Sequence, residues 1–192
     1  MIRVSSVLSH LFPGAFDKIS FSTLKIATER GSYYHALAAA LMLSIQFPEA
    51  HPFNEEKYKD DYHIVRSIRE WAQQYGVQPL LVEQRQIHKV LGYCGTPDLF
   101  ALFHCPVFPL WHQKKVLVDF KFTASIMEQN KIQVVAYSHL PKYSQADKII
   151  LLNINPYTGA RNIHEVFRKG NGYWIRFCQG LSEMQNLLPH ED

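Results

Sequence analysis

The chain has 192 residues, of which 47% are hydrophobic and 19% charged, so a packed core is expected and wholesale disorder is excluded. Twenty Lys and Arg against 17 Asp and Glu give a formal charge of +3, too small to diagnose nucleic-acid binding and no argument against it. Three widely spaced cysteines (Cys94, Cys105 and Cys178) argue against a disulfide framework and suit a reducing compartment.

The length suits one domain, predicted to span residues 1–192. No apolar run approaches the roughly 20 residues that cross a bilayer, and the first residues lack the pattern of a secretory signal. We therefore expect a cytoplasmic protein with no membrane partner.

Two helices are predicted first. Apolar residues at three- and four-residue steps, among them Leu24, Tyr34, Ala38 and Leu41, predict a helix over residues 22–47, and a second helix is predicted over 61–74. Residues 80–87 and 93–103 are then expected to form two strands joined by a tight turn at Gly92.

The clearest strand covers residues 116–122. Its side chains alternate, so Val118 and Phe120 are predicted to face the core while Asp119 and Lys121 share the opposite face. A helix over 125–140, a buried strand over 148–154, a strand over 161–167 and a helix over 181–188 complete the prediction. This order indicates an α/β fold with a mixed β-sheet flanked by helices.

A second acid, Asp98, lies 21 residues before Asp119 and suggests a function for the acid–lysine pair. A strand, a hairpin loop and a returning strand can bring Asp98 beside Asp119. Two neighbouring carboxylates suit a hard divalent cation, which lowers the pKa of a bound water and neutralises charge on a phosphate. Lys121 can stabilise the developing charge. The residues therefore suit phosphodiester hydrolysis, although a solvated ion pair remains the plainer reading of Asp119 and Lys121.

Thr96-Pro97-Asp98 followed by Asp119-Phe120-Lys121 resembles the signature of the PD-(D/E)xK nucleases. Further elements are similar to the RecB-like exonuclease branch, which includes the phage and mitochondrial genome-maintenance types. They are Val4 to Leu8, Gly31 to His35, Gly95 to Leu99, and Gln133 with Tyr137 in a Gln-x-x-x-Tyr motif. The resemblance runs from about residue 4 to 154 and implies a restriction-endonuclease-like core over about 22–154.

The resemblance also implies roles. Asp98, Asp119 and Lys121 are expected to be catalytic, while His35, both acids and the backbone carbonyl of Phe120 would hold Mg²⁺ or Mn²⁺. Gln133 and Tyr137, four apart on a helix, are expected to contact DNA. His35 could instead be an ordinary residue at the edge of the core, and Gln133 and Tyr137 could simply pack on the sheet.

Other residues are weaker candidates. Glu83 matches a recurrent family acid and is expected either to coordinate the metal through water or to orient a neighbour. Glu128 is interpreted as an ordinary solvated residue. A basic group forms either a DNA-facing surface or a solvated face: Arg66, Arg69, Arg85, Lys114 and Lys115.

The number of cysteines excludes one other metal site, and the spacing of cysteines and histidines argues against a second. Three cysteines cannot hold the four-cysteine iron–sulfur cluster of some RecB-like nucleases. Cys94, His104, Cys105 and His112 match no common zinc-finger spacing.

The sequence therefore predicts a Mg²⁺- or Mn²⁺-dependent deoxyribonuclease, and the resemblance implies an exonuclease acting on DNA ends in replication, recombination or repair. No nucleotide-binding motif is present, so any ATP-driven movement along DNA would come from a helicase or recombination partner. Two alternatives stay open: a non-catalytic nucleic-acid-binding or assembly subunit with the same fold, and a structure-selective endonuclease.

Overall fold

The computed structural model describes residues 1–15, 17, 20–170 and 172–188. Its helices are α1 (Val4–Leu11), α2 (Phe21–Gln46), α3 (Tyr62–Tyr75), α4 (Glu128–Ser138) and α5 (Tyr173–Asn186), with a 3-10 helix at Glu56–Asp61. Its strands are β1 (Ile2–Arg3), β2 (Val77–Val82), β3 (Gln86–His88), β4 (Tyr93–Gly95), β5 (Leu99–Phe103), β6 (Lys114–Lys121), β7 (Lys148–Ile154) and β8 (Arg161–Glu165). Within these ranges, no helix combines the length and the apolar character needed to cross a membrane.

A five-stranded sheet in the order β2-β5-β6-β7-β8 forms the centre of the fold. The pairing of β6 with β7 is parallel and the other neighbours are antiparallel, so the sheet is mixed. Parallel neighbours need a crossover, and α4 supplies it between β6 and β7. A second, smaller sheet has the strand order β1-β4-β3. The predicted α/β class with a mixed sheet flanked by helices is confirmed.

Two apolar cores form because helices cover both faces of the larger sheet. The first core, under α2 and α3, contains Val116, Val118, Phe120 and Phe122, as the alternation predicted. The second core, under α1, α4 and α5, contains Leu117 together with side chains of those helices. The strand β7 contributes alternate residues to both cores and spans the predicted residues 148–154.

The predicted strands over 80–87 and 93–103 were wrong as continuous elements. Each is two strands that belong to different sheets: β2 and β3 in the first case, β4 and β5 in the second. The first break lies at Glu83, whose φ of 44° is left-handed, and the second contains Pro97, which has no amide to donate to a strand neighbour. Apolar patterning does not record which of the two sheets each piece joins.

Helix boundaries also differ from the prediction. Of the predicted stripe along α2, Tyr34, Ala38 and Leu41 are buried, but Leu24 is only half-buried and the first turns of the helix are largely exposed. The final helix begins at Tyr173 instead of residue 181, because Trp174 and Phe177 pack into the second core. The helix α1 was not predicted.

Candidate active site

The antiparallel pairing of β5 with β6 brings the two aspartates to one place. Leu99 lies opposite Val118, so Asp98, directly before β5, approaches the C-terminal part of β6, where Asp119 lies. The Phe120 amide donates a hydrogen bond of 2.7 Å to Asp98 Oδ2. The backbone of Phe120 therefore fixes Asp98 between the positions of Asp119 and Lys121, while the Phe120 ring lies in the first core.

Asp119 and Lys121 form a buried ion pair. Lys121 Nζ lies 2.6 Å from Asp119 Oδ2, and the two residues are only 9% and 1% exposed. The ammonium also donates to Gln133 Oε1 at 3.0 Å. No well-directed hydrogen bond within the described residues reaches Asp119 Oδ2, although the ammonium is close to it. Burying such a pair costs desolvation energy that its mutual attraction does not reliably repay, so stability alone is a weak reason for its presence.

The pKa values of the two aspartates are shifted in opposite directions. Burial, with a contribution from the charge of Asp98, raises the pKa of Asp119 to about 6 despite the nearby Lys121 ammonium. Burial also works to raise the pKa of Asp98, but the charge and hydrogen bond of His35 outweigh it and the pKa is lowered. Two close carboxylates with separated pKa values are typical of functional sites, because the first charge disfavours the second.

The lysine is kept as a cation. Burial works to lower the pKa of Lys121, but the carboxylates of Asp119 and Asp98 outweigh it and the pKa is raised. The side chain is therefore protonated at neutral pH. In that form it stabilises negative charge and donates hydrogen bonds; it cannot accept a proton.

His35 reaches the site from α2. Its Nδ1 lies 3.2 Å from Asp98 Oδ2, and its ring meets Phe122 edge-on at a centroid distance of 5.5 Å. Burial works to lower the pKa of His35, but the Asp98 carboxylate outweighs burial and raises it. His35 therefore belongs to the cluster of Asp98, Asp119 and Lys121.

Gln133 and Tyr137 extend the cluster along one face of α4. Gln133 Nε2 donates to the Tyr137 hydroxyl at 3.0 Å, while its Oε1 accepts from Lys121. The Tyr137 ring lies against Gly95, where an added Cβ would be 2.5 Å from the ring. The chain Lys121–Gln133–Tyr137 links the buried ammonium to the cavity beside β4, which Tyr137 lines.

Glu83 lies beside the cluster at the end of β2. Its amide donates to the carbonyl oxygen of Asp98 at 2.9 Å. Burial raises the pKa of its carboxyl group, Asp98 adds to this, and His35 opposes it. The predicted accessory acid is thus within electrostatic range of both Asp98 and His35, although it lies after the strand on which it was expected.

Four of the five predicted basic residues lie away from the site, with Lys114 and Lys115 at the opposite end of β6 from Lys121. Arg66 and Arg69 extend from α3, on the far face of the sheet, and pair with Glu70 and Glu55. Glu128, interpreted as an ordinary solvated residue, pairs with Arg176 on the surface. Arg85 lies near the site and lines the cavity beside β4.

Sequence reasoning missed Asn153. This buried residue lies opposite Lys121 in the parallel pairing of β6 with β7. In the amide orientation that satisfies its surroundings, its nitrogen donates to the carbonyl oxygens of Lys121 and Thr123 at 3.0 and 3.1 Å. The signal was available, because Asn153 is the one polar side chain inside the apolar run of β7.

The donor set fits a divalent cation. Among the described residues, no three His, Cys, Asp or Glu side chains are already arranged around a common point as metal ligands. The buried Oδ2 of Asp119, however, has no directed hydrogen bond, and two carboxylates with an imidazole are the donors that Mg²⁺ and Mn²⁺ accept. His35, Asp98, Asp119 and the Phe120 carbonyl are the groups that would hold such an ion.

Comparison with known proteins adds little. No protein-family model matches the chain, and no curated protein matches it. The crystal structure of SSO0001 is similar over 98% of this chain and 77% of that chain, at 15% sequence identity and a TM-score of 0.46. A similarity of this size is too weak to support an inference about activity.

Proposed function

We propose that this protein is a metal-dependent DNA nuclease that hydrolyses phosphodiester bonds at Asp98, Asp119 and Lys121. The observation that carries the proposal is the buried Asp119–Lys121 pair, with Asp98 held beside it by the Phe120 amide. A hydrolytic site uses both parts, because the acids hold a cation and the ammonium stabilises charge on the phosphate. The sequence resemblance to PD-(D/E)xK nucleases of the RecB-like branch, with a restriction-endonuclease-like core, supports the same reading.

Each side chain has a task in this proposal. Asp98, Asp119 and His35 would hold a Mg²⁺ or Mn²⁺ ion, which would lower the pKa of a water molecule and neutralise charge on the phosphate. Lys121, kept protonated by the two acids, donates to the scissile phosphate or to the attacking water. Gln133 accepts from Lys121 and donates to Tyr137, so it aims the ammonium.

The decisive experiment compares cleavage by the parent protein with that by Asp98→Asn and Asp119→Asn. Linear single- and double-stranded DNA should be degraded with Mg²⁺ or Mn²⁺ and remain intact in EDTA. Each substitution should reduce the cleavage rate by about a thousandfold or more, because it removes a negative ligand with almost no change in volume. Glu165→Gln, which alters a surface acid paired with Lys148, is the matched control and should cleave like the parent. Parental activity in Asp119→Asn would refute the assignment.

Two further measurements separate the alternatives. Closed single-stranded circles should resist cleavage by an exonuclease acting on ends, whereas rapid cutting of circles indicates a structure-selective endonuclease. Calorimetric titration with Mn²⁺ addresses the non-catalytic subunit, since a pure binding module has no need of a cation at Asp98 and Asp119. Binding of Mn²⁺ that is lost in Asp119→Asn supports the nuclease.

A further inference from the structure

A cavity of about 340 Å³ lies beside the candidate active site. The beginning of α1, the strand β4, the segment before Asp98 and the ring of Tyr137 form its wall, and its polar side chains are those of Arg3, Ser5, Arg85 and Thr96. We refer to it as the arginine cavity. None of the described residues that line it is acidic.

The two arginines of this cavity have no acidic partner in the described part of the chain. Within the ranges that the structure describes, neither Arg3 nor Arg85 lies within ion-pair distance of a carboxylate, and Arg85 Nη2 makes a 3.3 Å contact with Cys94 Sγ. Four other arginines pair with surface glutamates: Arg66, Arg69, Arg161 and Arg176. Arg30 and Arg168 have no glutamate partner in the same ranges either, but they contact Tyr157 and backbone carbonyl groups instead. Two guanidinium groups left without carboxylates at one concave site favour an external anion, and Arg suits phosphate by its geometry.

The neutral groups of the cavity suit the same ligand. Ser5 and Thr96 place hydroxyl groups, which are donors to phosphate oxygens, along its wall. The helix α1 begins at Val4 with no side-chain cap and no acid in its first turn, so its positive end adds to the field of the arginines. The guanidinium and hydroxyl groups come from separate segments, which gives the cavity several donors facing one volume.

Two connections join the arginine cavity to the candidate active site. Thr96 is two residues before Asp98, and two extended residues span at most about 7 Å. Tyr137 lines the cavity with its ring and accepts a hydrogen bond from Gln133, which in turn accepts from Lys121. A polynucleotide strand whose scissile phosphate lies at Asp98 therefore carries a neighbouring phosphate toward the cavity.

We infer that the arginine cavity binds a second phosphate group of the strand held at the site, and so positions that strand for cleavage. This inference rests on the proposed nuclease function. The phosphate can be an internal diester or a terminal monoester, since the same donors recognise both. Arg3 and Arg85 are positioning residues, because they contact a phosphate that does not react.

Equilibrium binding in EDTA tests the inference without requiring cleavage. The probes are short fluorescent single-stranded oligonucleotides of one sequence with a 5′-phosphate, a 3′-phosphate or two terminal hydroxyl groups, and the readout is fluorescence anisotropy. Arg3→Gln and Arg85→Gln should each weaken binding about tenfold, which is the loss of one charged hydrogen-bonding partner, and should flatten the dependence on salt. Arg85→Lys should retain more of the affinity than Arg85→Gln, because it keeps the charge.

The control is Arg66→Gln, which removes an arginine of the opposite sheet face and should change binding less than twofold. Loss of affinity confined to one phosphorylated end assigns a terminal monoester, and equal loss on all probes assigns an internal diester. Unchanged affinity and salt dependence in both cavity variants would overturn the inference, as would an equal loss in Arg66→Gln. If binding depends on Arg3 and Arg85 while the parent cleaves no DNA with Mg²⁺ or Mn²⁺, the nuclease proposal fails and the phosphate site stands.

Discussion

The two faces of the five-stranded sheet bury very different side chains. Under α2 and α3 the central strand β6 presents apolar residues, and Val118 and Phe120 are almost completely buried there. Under α1 and α4 the same strand presents Asp119 and Lys121, buried to a similar degree but charged. One strand thus carries a face that stabilises the fold and a face that costs desolvation energy. Because burying charged groups costs desolvation energy, their presence on one face indicates that this face carries the functional site.

The largest expected effect comes from removing both charges. Replacing Asp119 by Leu and Lys121 by Met should abolish cleavage, yet leave the free energy of unfolding unchanged or raise it by about 1–4 kcal/mol, because apolar residues of similar volume avoid the desolvation cost. Urea denaturation followed by tryptophan fluorescence measures this. Lys121→Met alone is the comparison and should destabilise by about 3–5 kcal/mol, since it leaves Asp119 without its cation. A double variant as unstable as the single one would mean that folding needs the ion pair.

The apolar face should behave in the opposite way. Phe120→Ala should lower the free energy of unfolding by about 3–5 kcal/mol, because it leaves a cavity in the first core, where Trp71 meets the Phe120 ring at a centroid distance of 5.8 Å. Phe120→Leu, which keeps most of the volume, should cost much less. Cleavage per folded molecule should change little in Phe120→Leu. A loss of activity without a loss of stability would break the division between the two faces.

A smaller effect is expected at Gln133. Gln133→Ala removes the acceptor that aims the Lys121 ammonium and the donor to Tyr137, so kcat should fall about tenfold while KM changes little. Stability should change by less than about 1 kcal/mol, the net contribution of one or two hydrogen bonds. Gln133→Glu restores an acceptor for Lys121 and should recover part of the rate. Steady-state kinetics of the two variants make the comparison.

The smallest effect concerns a titrating group on the same side of the sheet. Burial lowers the pKa of His139 to about 4, helped by the charge of Arg168, and its ring stacks on Trp174 at 3.7 Å. The folded state therefore prefers neutral His139. The stability gained from keeping His139 neutral is fully present above the unfolded pKa of about 6.5, and it is lost as the pH falls toward 4.

His139→Phe keeps an aromatic ring against Trp174 and cannot titrate. Between pH 7 and pH 5 the parent should lose about 1 kcal/mol more stability than this variant, measured by urea denaturation at both pH values. This is about half of what the full pKa difference gives, because the His139 ring is only half-buried and solvent screens its charge. Equal pH dependence in the two proteins would mean that His139 does not titrate in this range.

Local pattern was enough to predict the parts of the fold that depend on one segment. The alternation along β6 placed Val118 and Phe120 in the core, and the apolar run of β7 gave its bounds. The spacing of Asp98 and Asp119 across a hairpin anticipated their meeting, because antiparallel neighbours have a fixed register.

Features that depend on contacts between distant segments were out of reach. The split of residues 80–87 and 93–103 between two sheets is decided by pairing with β1 and β5, and no local period records which partner a strand takes. The arginine cavity combines Arg3 of β1 with Arg85 of the loop between β2 and β3. Neither residue stands out alone in the sequence. Asn153 was visible in the sequence as a single amide in an apolar run. Its role became clear only from its hydrogen-bond partners in the structure.

The closeness of Gly95 to the Tyr137 ring has a practical consequence for anyone engineering this chain. Backbone geometry at Gly95 is ordinary, so alanine meets no conformational barrier there, yet its methyl carbon would lie 2.5 Å from the ring. The aromatic side chain must then swing aside and draw its hydroxyl away from the glutamine that steers the lysine. A single added methyl group, in a residue with no reactive group of its own, is therefore expected to disturb the position of the Lys121 ammonium.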